Sequence, residues 1–249
     1  MMDALERVNI EMLAYQNGWE VIISSNQEKV ILRSALHSSE AIVSMTQNGE
    51  YRVFCNAILN RDEIFKLLGY DYFIGDLLRA WDSTSLGKLL ETTAMLARSL
   101  PDHPLQLFKQ KVQNTVIDRT EVERLVKQRI GQDIFRSSLL NYWGASCSLT
   151  GIREKSLLRA SHAKPWAKCD SDEERLNVFN GLLLEARYDA LFDQGLITFS
   201  DNGEIIVSDH LDVCTQEILQ LNIFPRLRWI APEHIEFLSY HKAHVFMKQ

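Results

Sequence analysis

The sequence predicts an α+β fold in two domains, on three observations. Short runs rich in Val, Ile and aromatic residues alternate with polar turns over residues 19–55. A helical stretch and two closely spaced prolines, Pro101 and Pro104, then interrupt the chain. Beyond them, a strand–loop–strand–helix pattern is packed between Leu157 and Gly195. At 249 residues the chain exceeds the usual size of one small domain, so two units are the natural expectation.

Taken in order, the opening reads as a helix to about Gln16, stopped at Asn17-Gly18, where glycine supplies the left-handed backbone that ends helices. Strands are expected at 19–24, 29–34, 41–46 and 51–55, in meander order, with Asn48-Gly49 as a hairpin turn. Residues 61–99 read as helical. The domain boundary is placed in 100–118, giving 1–115 as an N-terminal α+β recognition or sensor domain with a small antiparallel sheet and 116–249 as the second domain. Residues 119–143 are helical again, with a break near Gly131. Strands around 157–160 and 181–184 follow, separated by a polar loop, then a helix over 187–192 stopped by Gly195. A hairpin turning at Asp201-Asn202-Gly203 and a tail helix from Pro232 to Phe246 complete the chain.

Composition narrows the function classes. Apolar residues make up 46% and charged residues 24%, as in ordinary globular proteins. No apolar run reaches the roughly 18–20 residues that cross a bilayer, and the first residues lack a basic leader, so a cytoplasmic protein with no membrane partner is expected. Four scattered cysteines without a C-x-x-C pair indicate neither a disulfide scaffold nor a zinc knuckle and read as free thiols. The net charge of −6 disfavours a uniformly basic nucleic-acid coat. It is uneven, however, at −4 over 1–118, +1 over 119–199 and −3 over 200–249.

The segment 147–195 gathers the residues that carry chemistry. His162 is read with the first strand, Asn180 opens the second, and Asp189 and Asp193 lie four apart, on one face of the following helix. Phosphodiester hydrolysis needs this set: an imidazole takes a proton from water near neutral pH, and a carboxylate-held cation meets the charge developing on phosphate. An amide such as Asn180 can fix the ring of the base. Arg153, Arg159, Lys164, Lys168 and Arg187 surround the centre as candidate phosphate contacts, with Arg187 as the preferred clamp.

Four ordered blocks, "RIGQDIFRSSLLNYWGASCSLTG", "LLRASHAKPW", "NGLLLEARYDALFDQGLITF" and "FLSYHKAHVF", resemble successive blocks of HNH (ββα-metal) endonucleases of restriction type, over roughly residues 124–246. The resemblance implies a ββα-metal fold for the second domain, with its catalytic core at 147–195. It implies His162 as general base, Asn180 holding that histidine, and Asp189 as metal ligand where the family usually has His or Asn. Mg²⁺ is the implied ion and Mn²⁺ the alternative, since an Asp is a competent hard ligand for either. Ser161 departs from the family, many of whose members carry an anionic ligand directly before the base. Asp193, His241 or substrate phosphate oxygens are the candidate replacements.

The resulting expectation is a DNA endonuclease of restriction or anti-phage defence. Because one such site cuts one strand, a homodimer is expected for double-strand cleavage. The alternative is a degenerate module that binds DNA or protein without cutting, for which Ser161 and the acidic balance speak.

Overall fold

The computed structural model describes residues 2–56, 61–75, 77–113 and 120–248, which form two compact units, Met1–Arg98 and Ser99–Gln249. The boundary expected at 115/116 lies outside the described residues.

The first unit opens with α1 (Ala4–Gln16), which Asp3 and Glu6 start as a reciprocal capping box. Gly18, at φ +89°, ends it. Strands β1 (Val21–Ser25), β2 (Lys29–Arg33), β3 (Glu40–Met45) and β4 (Tyr51–Cys55) form the expected antiparallel meander. Alternate residues Val30 and Leu32, Ala41 and Val43, Tyr51 and Val53 are buried with Ile10 and Ala14 of α1. Trp19 is wholly buried among them, its indole donating to the Leu90 carbonyl at 2.9 Å.

Residues 61–99 differ from the single helical stretch expected. They form α2 (Arg61–Leu68), a short hairpin of β5 (Phe73–Ile74) and β6 (Leu77–Ala80), and α3 (Ser83–Ser99). β6 pairs with β4, giving the sheet six strands in the order β1-β2-β3-β4-β6-β5. A two-residue strand and a four-residue strand are too short to show a period of two, and only pairing along β4 makes them strands.

The second unit begins with α4 (Asp102–Gln113). The preceding helix stops at Ser99, before Pro101, as the prolines led one to expect, and a new helix starts at once, with Pro104 in its first turn, where backbone N–H groups have no partner to lose. Next, α5 (Thr120–Tyr142) runs unbroken through Gly131. Phe135, Leu139 and Tyr142 line its buried face, and Trp143, just past its end, is buried too.

Against α5 packs the antiparallel hairpin of β7 (Leu158–His162) and β8 (Gly181–Glu185). A Cβ on Gly181 would fall 2.4 Å from the Phe135 ring, so glycine is what allows this close approach. Residues 181–184 of β8 are buried without alternation, the mark of a strand covered on both faces. The loop joining the two strands carries α6 (Asp172–Leu176), and β8 runs directly into α7 (Ala186–Asp193), which packs on both strands.

Beyond α7 come the hairpin of β9 (Ile197–Phe199) and β10 (Ile205–Val207), then α8 (Val213–Ile218) and α9 (His234–His244). Gly195, at φ +69°, lets α7 turn into β9, and the Met247 amide donates to its carbonyl at 2.9 Å. A Cβ there would lie 2.1 Å from the Val245 carbonyl oxygen, which is backbone and cannot swing aside. Gly195→Ala should therefore cost about 2–3 kcal/mol from the left-handed backbone and the forced shift of the tail. Denaturant unfolding checks this; a midpoint equal to wild type would show that the tail gives way freely.

Candidate active site

Successive side chains on a strand point to opposite faces, and this rule divides β7 at the site. Ser161 faces α7, and its hydroxyl donates to Asp189 Oδ1 at 2.5 Å. His162, paired with Gly181, faces α5, and its ring stacks on Phe135 with centroids 3.7 Å apart and planes 16° apart. Its Nε2 lies 2.9 Å from the Arg175 carbonyl oxygen. A carbonyl only accepts, so Nε2 carries the proton and Nδ1 the lone pair. Nδ1 has no partner among the described residues and is not among the buried polar atoms lacking one, so it faces solvent-accessible space. Burial pushes the His162 pKa down to about 4, outweighing the carbonyl's opposing pull, and the ring is neutral at pH 7.

Asn180 makes no hydrogen bond to this ring among the described residues. It is fully buried, and its amide ties down the loop between the strands. Its Oδ1 accepts from the Lys164 amide at 2.7 Å, while its Nδ2 donates to the carbonyls of Lys164 at 3.2 Å and Glu174 at 3.1 Å. The histidine is thus held by Arg175, and Asn180 acts one step back, by fixing the loop that presents Arg175. Lys164, read from the sequence as a phosphate contact, is committed to the same loop. Its ammonium binds Asp170 and Glu174, each at 2.8 Å, which holds its pKa well above the ordinary lysine value.

Trp166 completes the loop's seat. A Cβ on Gly131 would fall 2.3 Å from its ring, so the indole lies directly on the α5 backbone. Its ring also meets His162 edge-on, with centroids 5.7 Å apart. Gly131 is thus a cradle rather than the helix break that its residue type suggested.

On the α7 side, Asp189 and Asp193 lie one turn apart, as expected. Asp193 has no hydrogen bond or ion pair among the described residues. Crowding by protein atoms, and then the charge of Asp189, push its pKa up to about 6. Two carboxylates and the Ser161 hydroxyl make an all-oxygen set suited to a hard divalent cation that keeps several waters. Among the described residues no group of three His, Cys, Asp or Glu converges as a full cage, so other ligands would have to come from water or substrate.

Two further sequence candidates, Arg187 and His241, are engaged elsewhere. Arg187 stacks over the Tyr188 ring at 4.9 Å and pairs loosely with Glu185 at 3.5 Å, while its Nε is buried without a partner. His241 is 1% exposed, with Nδ1 against the Thr198 hydroxyl at 2.9 Å and Nε2 against the Phe192 carbonyl at 3.0 Å. Both ring nitrogens are therefore spent on joining α9 to β9 and α7. Cys147 pins the start of the module: its sulfur accepts from the amides of Leu149, Thr150 and Glu185 at 3.3–3.4 Å.

A β-hairpin thus runs directly into a helix, with His162 at the end of the first strand and Asp189 and Asp193 on the helix, a ββα arrangement. Residues 147–200 match the family described as HNH endonuclease, and the chain therefore carries an HNH-family domain, which points to nuclease activity and a nucleic-acid substrate. No curated protein matches the chain. No helix among the described residues is long and apolar enough to cross a membrane.

Sequence reasoning missed Phe135 and Arg175. Phe135 had a usable signal, since it lies four residues, one helical turn, after Gly131 and so shares its face. Arg175 acts through its backbone carbonyl, which no side-chain pattern reveals.

Proposed function

We propose that the second unit is a divalent-metal-dependent DNA endonuclease domain in which His162 is the general base. The observation that carries this reading is the state of His162: a neutral ring, its Nε2–H tied to the Arg175 carbonyl and its Nδ1 lone pair turned to accessible space. Such a nitrogen can take the proton of an attacking water without first losing one of its own. Asp189 and Asp193, with Ser161 beside them, are the residues that would hold Mg²⁺ or Mn²⁺. Bound there, the ion would neutralise charge developing on the phosphate and leaving oxygen. Asn180 positions the base through the loop, and Arg187 is the nearest candidate to meet a phosphate from α7. His241 is assigned to packing, because liganding would cost it a buried hydrogen bond.

A homodimer fits one site per strand, and restriction or anti-phage defence fits the family resemblance. Binding without cleavage is the second reading. It is favoured by the Ser161–Asp189 hydrogen bond, which occupies one carboxylate oxygen where many members of the family offer an anionic ligand.

Cleavage of plasmid and of phage DNA, native and modified, with Mg²⁺ or Mn²⁺, tests the proposal. Wild type should nick or linearise a substrate only with metal, and His162→Ala should lower the rate by about 10²–10⁴-fold. If neither protein cuts while both shift DNA equally in EDTA, the second reading holds.

A further inference from the structure

Helix α1 of the first unit is apolar on two opposite sides. Ile10 and Ala14 are wholly buried in the core beneath it. On the far side Leu5 is 77% exposed, Val8 59%, Met12 51% and Tyr15 68%. No exposed residue of the helix is charged, and Glu6, Arg7 and Glu11 lie at its half-buried edges. The usual surface helix carries its charges outermost, and one that is apolar all round is normally buried all round. The outer side of α1 thus has the composition of a covered surface.

The spacing of that side says what covers it. Leu5, Val8, Met12 and Tyr15 follow one another at steps of three, four and three, the narrow seam along which two helices interlock. The steps read the same from either end. Against a reversed copy of the helix, Leu5 meets Tyr15 and Val8 meets Met12, the self-complementarity that a two-fold contact requires. The edge charges fit the same register. Arg7 and Glu11 flank one side of the seam and have no ion pair among the described residues, so Arg7 of each copy comes within side-chain reach of Glu11 of the other. At these exposures the four side chains present on the order of 500 Å² per copy. Two copies would then hide about 1,000 Å², the lower bound for a specific contact.

We propose that α1 is a self-association surface, on which two copies of this chain pair antiparallel about a two-fold axis with their Leu5–Val8–Met12–Tyr15 stripes in contact. The apolar stripe supplies the affinity, since ion pairs at an exposed rim contribute little strength and mainly fix orientation. An interface this small gives a dissociation constant on the order of 1–100 µM, so pairing responds to protein concentration. The surface gives a contact face to the homodimer proposed above, and it stands on the first unit alone, without resting on the nuclease reading. Each pair carries two ββα modules.

The test is sedimentation velocity on the full chain in EDTA, with no nucleic acid present. Wild type should pass from monomer to dimer between about 1 and 100 µM. Met12→Lys puts a charge at the centre of the stripe and should weaken pairing about tenfold or more. Its urea midpoint, measured where wild type is monomeric, should be unchanged, because a half-exposed side chain opposite the core is not needed for folding. Val8→Lys, at a second exposed position, repeats the test should Met12→Lys misfold. Arg7→Glu should weaken pairing about fivefold, and adding Glu11→Arg to it should restore most of the loss, which only an antiparallel pair of identical helices predicts. Wild type that stays monomeric throughout would overturn the proposal and leave the stripe to another partner. A dimer that survives both lysine variants lies elsewhere on the chain, and overturns it too. So does a charge swap that fails to restore pairing. Metal-dependent cleavage, measured separately, bears only on the nuclease reading: an active chain that never pairs sinks this surface alone, and an inactive chain that pairs as described leaves it standing.

Discussion

Replacing Asn180 with Ala is expected to destabilise the second unit by about 3 kcal/mol and, if the domain is a nuclease, to lower its cleavage at least 100-fold with the helix carboxylates untouched. The stability loss follows from burial. The amide is wholly inside, and its removal strands the Lys164 N–H and the carbonyls of Lys164 and Glu174 without partners. Each buried unsatisfied group costs roughly 1–3 kcal/mol, reduced where the loop relaxes or water enters. The activity loss follows from geometry, because the same loop carries the Arg175 carbonyl that sets the tautomer and orientation of His162. Asn180→Asp should be worse at neutral pH, placing a carboxylate against two carbonyl oxygens. Urea unfolding and plasmid cleavage, measured on the same preparations, check both halves. Full stability with lost cleavage would place Asn180 in the chemistry itself, and normal cleavage would show that the loop holds without it.

Acidification is the second large effect. His162, His234 and His241 are each pushed down to about pKa 4, in every case first by burial. An exposed histidine in the unfolded chain titrates near 6.5. Between pH 6.5 and 4 the unfolded chain therefore binds up to three protons that the folded unit refuses, so stability rises with pH across this window. Their contribution is fully present above pH 6.5 and is lost progressively as pH falls towards 4. For the two most buried, His234 and His241, the loss is on the order of 2–3 kcal/mol each, a large share of a typical domain's stability. Asp193 works in the opposite sense. With its pKa raised to about 6, its contribution is present below its unfolded value of 3.8 and is lost as pH rises through 6, so it offsets a part of the trend. Denaturant titrations at pH 7 and pH 5, followed by fluorescence of the buried Trp143 and Trp229, should show the midpoint falling steeply in acid. His234→Phe should flatten that slope by about one proton. Stability that is level between pH 7 and 4.5 would mean that these histidines protonate in place.

Part of the fold and of the candidate site is legible in the amino-acid sequence. The meander of β1 to β4 announces itself through alternation, and Gly18, Gly49 and Gly203 adopt the positive φ that their turn sequences imply. The four-residue step between Asp189 and Asp193 places both on one helix face, since helical geometry depends only on spacing. The short strands β5 and β6 and the unbroken α5 are not legible in the same way. A two-residue strand exists only through its partner, and a glycine that looks like a helix breaker is kept because an indole needs its space.

The sequence by itself determined the module: which strands and helix form, which residue types they carry, and which side chains share a helix face, because these follow from local periodicity. Only the tertiary structure decided that Ser161 rather than His162 meets Asp189, that the Asn180 amide bonds to the loop, and that Arg175 holds the His162 ring through its carbonyl. It also set the ionisation of His162 and Asp193. Those outcomes depend on which face of β7 is covered by α5 and which by α7, and on how deeply each group is removed from water. Residues far apart in the chain decide both.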